Sequence, residues 1–452
     1  MRKGFTFDAA LCVSCKSCSA ACILENGFQP GMRTLFAWNN HVLPLVGVIN
    51  LSMACNHCAE PACATGCPAL AYTTGPDGVV VHHSDRCMGC GYCTWRCPYE
   101  APKINPALGF VEKCHLCADR TIQGVEPACV TACPTGALKM TKREEFDGAL
   151  PAWFPDTGLR PSVILKNAEN FNKPVIIPAE NESIEEDTER LGRQGAGIDS
   201  SGILRKEWSL VLFSSMVIAA SVMMIISALE KTRTGAIPFL LMPGAMAVSS
   251  VHLGVPGRSW RSVLHIRTSP LSREIVMALL LTMTALLRWL VPGLIPSLIT
   301  VLISLTALIS VDMVYFAADR SFRLRLHSGQ AFFTAIYTTS WFIGQGTIFI
   351  ILSMLAAISV VVRYRSADSD SLTRALYYTR AMALPVVFML IYPGSPVTDI
   401  AALVIFITGM VADRLLFYCD FRPPGIRDTI TENFGTVYEK ERDKQCQDAG
   451  IS

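Results

Sequence analysis

The chain has 452 residues, with 39 lysines and arginines against 37 aspartates and glutamates, so its formal net charge is only +2. This balance excludes the basic surface of a typical nucleic-acid-binding protein, and we expect no nucleic-acid partner. Sixteen of the 18 cysteines lie between Cys12 and Cys133, whereas the long apolar runs follow Trp208. The sequence therefore predicts two different parts joined in series.

The first part carries four groups of cysteines. They are Cys12, Cys15, Cys18 and Cys22; Cys55, Cys58, Cys63 and Cys67; Cys87, Cys90, Cys93 and Cys97; and Cys114, Cys117, Cys129 and Cys133. The third group, followed by Pro98, has the spacing with which bacterial ferredoxins hold a [4Fe–4S] cluster. The first group has the same spacing, and the second and fourth widen one gap to four and eleven residues. Sixteen thiolates therefore predict four [4Fe–4S] clusters.

An internal repeat supports this interpretation. Glu60-Pro61-Ala62-Cys63 recurs as Glu126-Pro127-Ala128-Cys129, and in each copy the next cysteine precedes a proline. Such self-similarity indicates a duplication. Short β-type runs such as Gly78–His82 predict small hairpins beside the cysteine loops. The predicted fold of residues 1–178 is therefore α+β, a duplicated bacterial-ferredoxin-like cluster domain.

Structural zinc is the alternative, because Cys-x-x-Cys pairs also bind zinc. The compact run of three cysteines plus one favours iron–sulfur clusters, and a colourless, iron-free, zinc-loaded protein would contradict them. His57 and His115 lie inside the cysteine loops, but each group already has four thiolates, so we interpret both as neighbours of the sites. Trp95 and Tyr99 are interpreted as packing residues.

Residues 4 to about 166 resemble the four-cluster iron–sulfur subunit of molybdenum oxidoreductases in the dimethyl sulfoxide reductase family. The resemblance includes Cys-Pro-Thr-Gly-Ala-Leu at 133–138 and Pro-Asp-Thr-Gly-Leu-Arg-Pro-Ser at 155–162. It implies that the first and fourth groups share two clusters and that the second and third share the other two. It also implies that the first group faces a molybdenum subunit and that the third lies nearest the membrane. Some relatives replace one third-group cysteine with tryptophan, but all four cysteines are present here.

The second part begins after an acidic, then Gly/Ser-rich stretch over 179–207, which predicts a solvated linker. Apolar stretches long enough to cross a hydrocarbon core of about 30 Å follow. Six of them are 208–229, 235–254, 274–292, 294–317, 376–393 and 398–418. The run 329–363 is too long for one upright helix and contains Gly344-Gln345-Gly346, so we divide it into two spans. The prediction is an all-α bundle of about eight transmembrane helices over 208–418.

Basic residues are unequally distributed in this topology. Twelve arginines and lysines lie on the side of the cysteine-rich domain, and three, Lys231, Arg233 and Arg288, lie on the other side. The positive-inside rule then places the cysteine-rich domain and a polar C-terminal tail, 419–452, in the cytoplasm. The run Met1–Asp8 lacks the apolar core of a signal peptide, which agrees with this orientation. We expect a multi-pass protein of a prokaryotic cytoplasmic membrane, in which Cys419 and Cys446 are ordinary thiols.

Three stretches of the second part resemble the membrane anchor subunit of dimethyl sulfoxide reductase. They are His252-Leu-Gly-Val-Pro-Gly-Arg258-Ser-Trp260, Ser269-Pro-Leu-Ser-Arg273-Glu274 and Arg414-Leu-Leu-Phe417-Tyr418. The resemblance implies a quinone site that contains His252, Arg258, Glu274, Arg414 and Tyr418. Quinone chemistry moves two electrons and two protons, which suits titratable groups near a cluster. In the alternative interpretation, His252 caps a helix and the arginines contact lipid headgroups.

Further ionisable residues lie within the predicted spans. Asp312 and Asp413 are functional candidates because charge at membrane depth is costly. In relatives an acidic residue precedes the equivalent of Arg414 by one turn, but Met410 occupies that position here. His252 is the single histidine in or capping a predicted span, so no haem is predicted, because a b-type haem needs histidines on facing helices.

These features predict a non-catalytic electron-transfer and membrane-anchor subunit. It would pass electrons between a quinone pool, menaquinone or ubiquinone, and a separate molybdopterin catalytic subunit, for which this chain has no room. That partner would be an S- or N-oxide reductase such as dimethyl sulfoxide reductase, or a sulfite dehydrogenase that delivers electrons to quinone. The alternatives are a self-contained ferredoxin:quinone oxidoreductase and a transporter whose clusters sense redox state.

Overall fold

The computed structural model describes residues 1–27, 31–38, 48–144, 146, 150–167, 200–318, 330–344, 351–352, 355, 376, 378, 396–420 and 425–434. The chain forms two compact units. The cysteine-rich unit comprises Met1–Ala196 with Pro424–Ser452, and the helical unit comprises Gly197–Pro423.

The strands of the cysteine-rich unit are short. They are β1 (Arg2–Asp8), β2 (Thr34–Trp38), β3 (Ile49–Met53), β4 (Tyr72–Thr74), β5 (Val80–His82), β6 (Lys103–Ile104), β7 (Val111–Glu112), β8 (Leu138–Arg143) and β9 (Val163–Lys166). β1 is the middle strand of a three-stranded sheet, antiparallel to β8 and parallel to β9. Phe5 and Phe7 of β1 are buried in one core with Leu138 of β8, and this core is the centre of the unit.

The remaining strands form three two-stranded antiparallel hairpins. The hairpin predicted around Gly78–His82 is confirmed, because β4 pairs with β5 and Tyr72 lies opposite His82. Gly78 in its turn has a φ of 75°, a left-handed conformation that glycine adopts without a Cβ penalty.

Five short helices accompany the cysteine loops. They are α1 (Ser17–Asn26), α2 (Ala62–Gly66), α3 (Tyr92–Arg96), α4 (Ala118–Ile122) and α5 (Ala128–Thr131). The third cysteine of every group lies in one of these helices, Cys18 in α1, Cys63 in α2, Cys93 in α3 and Cys129 in α5. Each such helix therefore presents one thiol close to the loop that precedes it.

The helical unit consists mainly of long apolar helices. They are α6 (Ser200–Leu229), α7 (Ile237–Ser250), α8 (Pro270–Leu290), α9 (Ser297–Ala318), α10 (Gln330–Phe342) and α11 (Pro396–Asp420), with a 3₁₀ helix over Pro256–Val263. Among the described residues, three segments are long and apolar enough to cross a membrane: Glu207–Leu229, Pro270–Leu290 and Ser297–Ala317. α7 is apolar but has only 14 residues.

α6 is the central helix of this unit. It packs against α7, α9, α10 and α11, and Ile218, Ala220 and Ser221 on it are fully buried. α8 starts at a defined cap, because Ser269 Oγ accepts a hydrogen bond from Ser272 N and Pro270 occupies the first helical position.

Arg288 near the end of α8 is buried rather than placed in a loop. Its Nε donates to Thr234 Oγ1 at 3.1 Å, and its Nη1 donates to Ile295 O at 3.2 Å and Thr300 Oγ1 at 3.3 Å. The predicted topology assigns this arginine to the side of the membrane opposite the cysteine-rich domain, and the structure gives it a packing role between helix ends.

A last helix, α12 (426–434), belongs to the cysteine-rich unit. Ile426, Ile430 and Phe434 lie on one face of it at helical spacing, and each is at most 1% exposed. The Phe434 ring stacks on Trp153 with centroids 5.1 Å apart and meets Trp38 edge-on at 6.0 Å. The segments before and after the helical unit are therefore both part of the same cysteine-rich core.

The α+β first part and the helical second part agree with the sequence prediction, but the count of about eight membrane helices stays a prediction. Most of the predicted span 376–393 and much of 329–363 lie outside the described residues. α6 begins at Ser200, inside the predicted linker, because serines start helices well and the apolar run that follows propagates the helix. Residues 426–434 lie in the segment predicted as a polar tail. The sequence does not indicate a buried helix there, because polar residues separate its three buried apolar side chains.

Candidate functional site

The four cysteine loops share one backbone conformation. The residue before the second cysteine has a positive φ in each loop: Ser14 (57°), His57 (43°), Gly89 (74°) and Leu116 (60°). In three of the loops its N–H donates to the sulfur of the first cysteine at 3.4 Å, from His57 to Cys55, Gly89 to Cys87 and Leu116 to Cys114. Left-handed backbone at non-glycine residues is uncommon and is concentrated at functional sites.

A second turn recurs after the fourth cysteine. The third residue beyond it has a positive φ at Leu70 (52°), Glu100 (50°) and Gly136 (65°). In the first of these turns, Ala71 N donates to Cys67 Sγ at 3.4 Å. The repeat seen in the sequence is therefore also a repeat of backbone geometry.

The thiols assemble into four sets, each of which combines three cysteines of one group with the fourth cysteine of another. Site I is Cys12, Cys15, Cys18 and Cys133; site II is Cys22, Cys114, Cys117 and Cys129; site III is Cys55, Cys58, Cys63 and Cys97; and site IV is Cys67, Cys87, Cys90 and Cys93. The first and fourth groups thus exchange cysteines, as do the second and third, which is the sharing that the resemblance implies.

Sites II and III line cavities. Cys22, Cys114, Cys117 and Cys129 of site II all line one cavity, and Cys55, Cys58, Cys63 and Cys97 of site III all line the other. Burial raises the pKa of Cys22 in site II to about 11, and the neighbouring Cys114 adds to this effect. Burial likewise raises the pKa of Cys97 in site III to about 11. Without a positively charged occupant, these thiols would stay protonated at neutral pH.

Sites I and IV differ in exposure. Burial and the nearby thiols of Cys18 and Cys133 raise the pKa of Cys12 in site I, but Cys15 is exposed. In site IV, burial raises the pKa of Cys90 to about 12, although the backbone N–H of Tyr92 opposes this. Site I is therefore the most solvent-accessible of the four.

His57 and Lys113 lie at the junction of sites II and III. His57 is fully buried beside Cys55 of site III and Cys114 of site II, and its Nδ1 accepts a hydrogen bond from Val80 N at 3.1 Å. Lys113 Nζ donates to Cys114 O at 2.8 Å and is 3% exposed. Burial opposes ionisation of Cys55, but the hydrogen bonds that His57 donates and the charge of Lys113 outweigh it and lower the pKa of this thiol to about 5.

Tyr72 occupies the corresponding junction between sites III and IV. Burial, together with the thiols of Cys93 in site IV and Cys63 in site III, raises its pKa well above the ordinary value. The exchanged cysteines connect site I to II and site III to IV, and His57 connects site II to III. The four sites therefore form one series from I to IV.

The helical unit contains a buried group of polar residues. The group consists of Glu274 on α8, Asp312 and Tyr315 on α9, and Arg414 and Tyr418 on α11, each at most 7% exposed. Asp312 Oδ1 lies 3.8 Å from Arg414 Nη2, and the hydroxyls of Tyr315 and Tyr418 are hydrogen-bonded to each other. Glu274 interacts electrostatically with Asp312 and both tyrosines. We call these five residues the buried polar group.

The structure brings together three of the five residues predicted for a quinone site, Glu274, Arg414 and Tyr418. His252 follows the end of α7 and Arg258 lies in the 3₁₀ helix, so neither is a member of the buried polar group. His252 Nδ1 is buried and has no hydrogen-bond partner among the described residues. Asp413 is 2% exposed, on α11 next to the group.

Sequence reasoning missed Tyr315 and gave no acidic partner for Arg414. Met410, one turn before Arg414, is buried, and Asp312 on α9 supplies a carboxylate to this arginine. Tyr315 follows Asp312 by three residues, and this spacing places both side chains on one helix face. The spacing could have indicated that Tyr315 belongs to the same group.

Comparison with known proteins identifies the cysteine-rich part. The family described as 4Fe-4S dicluster domain matches residues 46–143. The probable anaerobic dimethyl sulfoxide reductase chain YnfG of Escherichia coli K12 is 34% identical over 187 residues, which cover 37% of this chain and 89% of that protein. A chain of the anaerobic dimethyl sulfoxide reductase of Haemophilus influenzae is 35% identical over 154 residues, 32% of this chain and 75% of the relative.

The chain belongs to the iron–sulfur subunit family of anaerobic dimethyl sulfoxide reductase. The formate dehydrogenase iron-sulfur subunit of Haemophilus influenzae is also similar, 36% identical over 160 residues that cover 31% of this chain and 51% of the relative. The chain is therefore an iron–sulfur electron-transfer subunit with a 4Fe-4S cluster domain, joined to a helical unit whose described part contains three helices able to cross a membrane.

The residues of this iron–sulfur subunit fit such clusters. The donors are thiols, which is the donor type of four-iron clusters, and backbone N–H groups point at their sulfurs. The thiols of sites II and III line cavities rather than meeting at a point, which suits a group larger than one ion. Accordingly, no group of three or more histidine, cysteine or acidic side chains among the described residues is placed to hold a single metal ion.

Proposed function

We propose that this chain anchors a molybdopterin catalytic subunit to a prokaryotic cytoplasmic membrane and carries electrons between that subunit and membrane quinone. The observation that carries the proposal is the buried polar group in the apolar helical unit of a chain that also holds four thiol sites. Ionisable residues among membrane helices are costly and usually functional. Quinone chemistry exchanges electrons and protons together. A chain that holds both a series of clusters and a group of ionisable residues can supply both.

The sixteen cysteines of sites I to IV are the proposed ligands of four [4Fe–4S] clusters. When bound, such clusters each exchange one electron. The protein's part is to hold the four sets of thiols in a series, to exclude water from sites II to IV, and to place charged residues at their junctions. Lys113 supplies positive charge between sites II and III, where each transfer moves negative charge.

The buried polar group is the proposed place of proton exchange with quinone. Oxidation of one quinol to quinone releases two electrons, which enter the cluster series, and two protons. Glu274 can accept one of these protons at its carboxylate, and the second passes to solvent water. The hydroxyl of Tyr418 can donate a hydrogen bond to a quinone oxygen. Arg414 forms an ion pair with Asp312, which supplies the guanidinium with a counter-charge inside the apolar unit. His252 and Arg258 remain proposed contributors from outside this group.

The catalytic partner is proposed from the relatives. One relative is named as a chain of a reductase and another as a subunit of a dehydrogenase, so the same cluster series serves opposite directions of electron flow. For this chain we propose S- or N-oxide reduction with electrons from quinol, or the reverse flow from a dehydrogenase, such as one acting on sulfite, into quinone. Identification of the co-purified subunit decides between them.

The test is purification of the full chain from its native membranes, followed by assay of quinol-linked activity. We expect a molybdenum-containing subunit to co-purify and Glu274→Gln to lower quinol-linked turnover at least tenfold, while activity with an artificial donor persists. The matched control is Glu230→Gln, because Glu230 is exposed beside α6. Absence of molybdenum, with quinone reduction supported by a soluble ferredoxin alone, would overturn the proposal in favour of a ferredoxin:quinone oxidoreductase.

A further inference from the structure

Arg33 is a buried arginine in the cysteine-rich unit whose hydrogen bonds are incomplete. It is 2% exposed, and its guanidinium lies 4.4 Å from the centroid of the Phe5 ring. Nη1 donates to Ser52 O at 3.2 Å and to Ser52 Oγ at 3.0 Å. Nε and Nη2 are buried, and neither donates to an oxygen or nitrogen atom of the described residues.

The surroundings of Arg33 contain thiols where a carboxylate would be expected. The electrostatic neighbours of its guanidinium are Cys129, Cys114, Cys18 and Cys22, which belong to sites I and II. Among the described residues, no aspartate or glutamate forms an ion pair with it. A buried guanidinium without a counter-charge destabilises a fold. A negatively charged group beside Arg33 would therefore stabilise the fold. Arg33 lines the cavity of site II, so a group bound there would lie next to its guanidinium.

The hydroxyl of Ser52 connects Arg33 to Cys18 of site I. The Ser52 hydroxyl, which accepts from Arg33, lies 3.4 Å from Cys18 Sγ, and Ser52 is 6% exposed. A hydroxyl that accepts from a guanidinium is polarised and becomes a stronger donor towards sulfur. Arg33 is thus in contact with site II and is connected to site I by one hydroxyl.

We propose that Arg33 is the fixed counter-charge of the cluster held at site II and raises its reduction potential, with a smaller effect through Ser52 at site I. The inference rests on the proposed cluster ligation. Reduction adds one electron and makes a thiolate-bound cluster more negative, so a nearby cation stabilises the reduced form more than the oxidised form. The interaction is strong because both charges are shielded from water.

The test is a redox titration of the purified complex followed by EPR, with iron content measured on the same samples. Arg33→Met is expected to lower the midpoint potential of one cluster by at least 59 mV, a tenfold change in the equilibrium constant of one-electron reduction. Arg33→Lys keeps the charge and is expected to keep that potential closer to the wild-type value. Arg143→Met removes an equal charge from an exposed position and is expected to cause no shift.

The outcomes separate this inference from the proposed function. Wild-type protein without iron–sulfur EPR signals would overturn the cluster assignment itself. Clusters present in Arg33→Met with unchanged potentials would overturn the role of Arg33, and so would equal shifts in Arg33→Met and Arg33→Lys, which indicate geometry rather than charge. If Arg33→Met loses iron, the same titration on Arg33→Gln, whose amide can still donate to Ser52, decides by the same criteria.

Discussion

Asp312 and Arg414 face each other between α9 and α11, with 3.8 Å between Oδ1 and Nη2. Asp312 also accepts hydrogen bonds from the N–H groups of Ala331 at 3.1 Å and Phe332 at 2.9 Å, at the start of α10. One carboxylate therefore connects three helices. The N-terminus of α10 and the guanidinium both supply positive electrostatic potential to this carboxylate in an apolar unit.

Replacement of Asp312 should destabilise the helical unit more than the loss of one contact suggests. Asp312→Asn retains one oxygen for the α10 amides but leaves Arg414 as an unpaired buried charge, which costs about 3–5 kcal/mol. We expect a lower thermal midpoint in detergent, with partial recovery in Asp312→Asn/Arg414→Met because the orphan charge is removed. Equal midpoints in wild type and Asp312→Asn would show that the pair does not stabilise the bundle.

The cysteine sites could be predicted from the sequence more completely than the buried polar group. Ligand spacing within a cysteine loop is local, so the groups can be read directly from the chain. The counter-charges cannot, because Arg33 and Asp312 acquire their partners by folding and have no characteristic spacing to them. Residues 426–434 were missed for the same reason, since their apolar face is recognised only once Trp38 and Trp153 are placed beside it.

The exchange of cysteines between groups gives a prediction about which cluster each substitution affects. Cys97 is the fourth cysteine of the third group, but it lines the cavity of site III with Cys58. Cys97→Ser should therefore alter the same EPR signal as Cys58→Ser, whereas Cys93→Ser should alter a different one and interrupt quinone-linked activity. If Cys97→Ser and Cys93→Ser change one common signal, the assignment of Cys97 to site III is wrong.

Glu100 gives a prediction about pH. Its Oε2 accepts a hydrogen bond from Ile426 N at 3.1 Å, at the start of α12. Glu100 as a whole residue is exposed, but desolvation of its carboxylate beside Ile426 raises its pKa above the ordinary value of 4.5, although the Ile426 N–H opposes this. A raised folded-state pKa means that the contribution to stability is complete at low pH and declines as pH rises through that pKa.

Substitutions of Glu100 separate the charge from the cap. Glu100→Gln keeps an oxygen acceptor and should remove this part of the pH dependence of stability. Glu100→Ala also removes the cap and should cost about 0.5–2 kcal/mol. Unfolding curves of the full chain at pH 5 and pH 8 provide the measurement, with the exposed Glu126→Ala as control. A wild-type pH slope retained in Glu100→Gln would contradict the assignment to this residue.

The α12 helix should stabilise the unit that holds the clusters, even though it follows the whole helical unit in sequence. Phe434 is 1% exposed between Trp38 and Trp153, and Asn433 Nδ2 donates to Trp153 O at 3.1 Å. Phe434→Ala leaves a cavity in that core and should cost about 3–5 kcal/mol. Glu432→Ala, on the exposed face of the same helix, should change stability by less than about 0.5 kcal/mol.

Loss of visible cluster absorbance during heating is the measurement, since the bleaching temperature reports on this unit. A core role for α12 predicts earlier bleaching in Phe434→Ala alone, whereas a helix that merely rests on the surface predicts the same temperature for both variants.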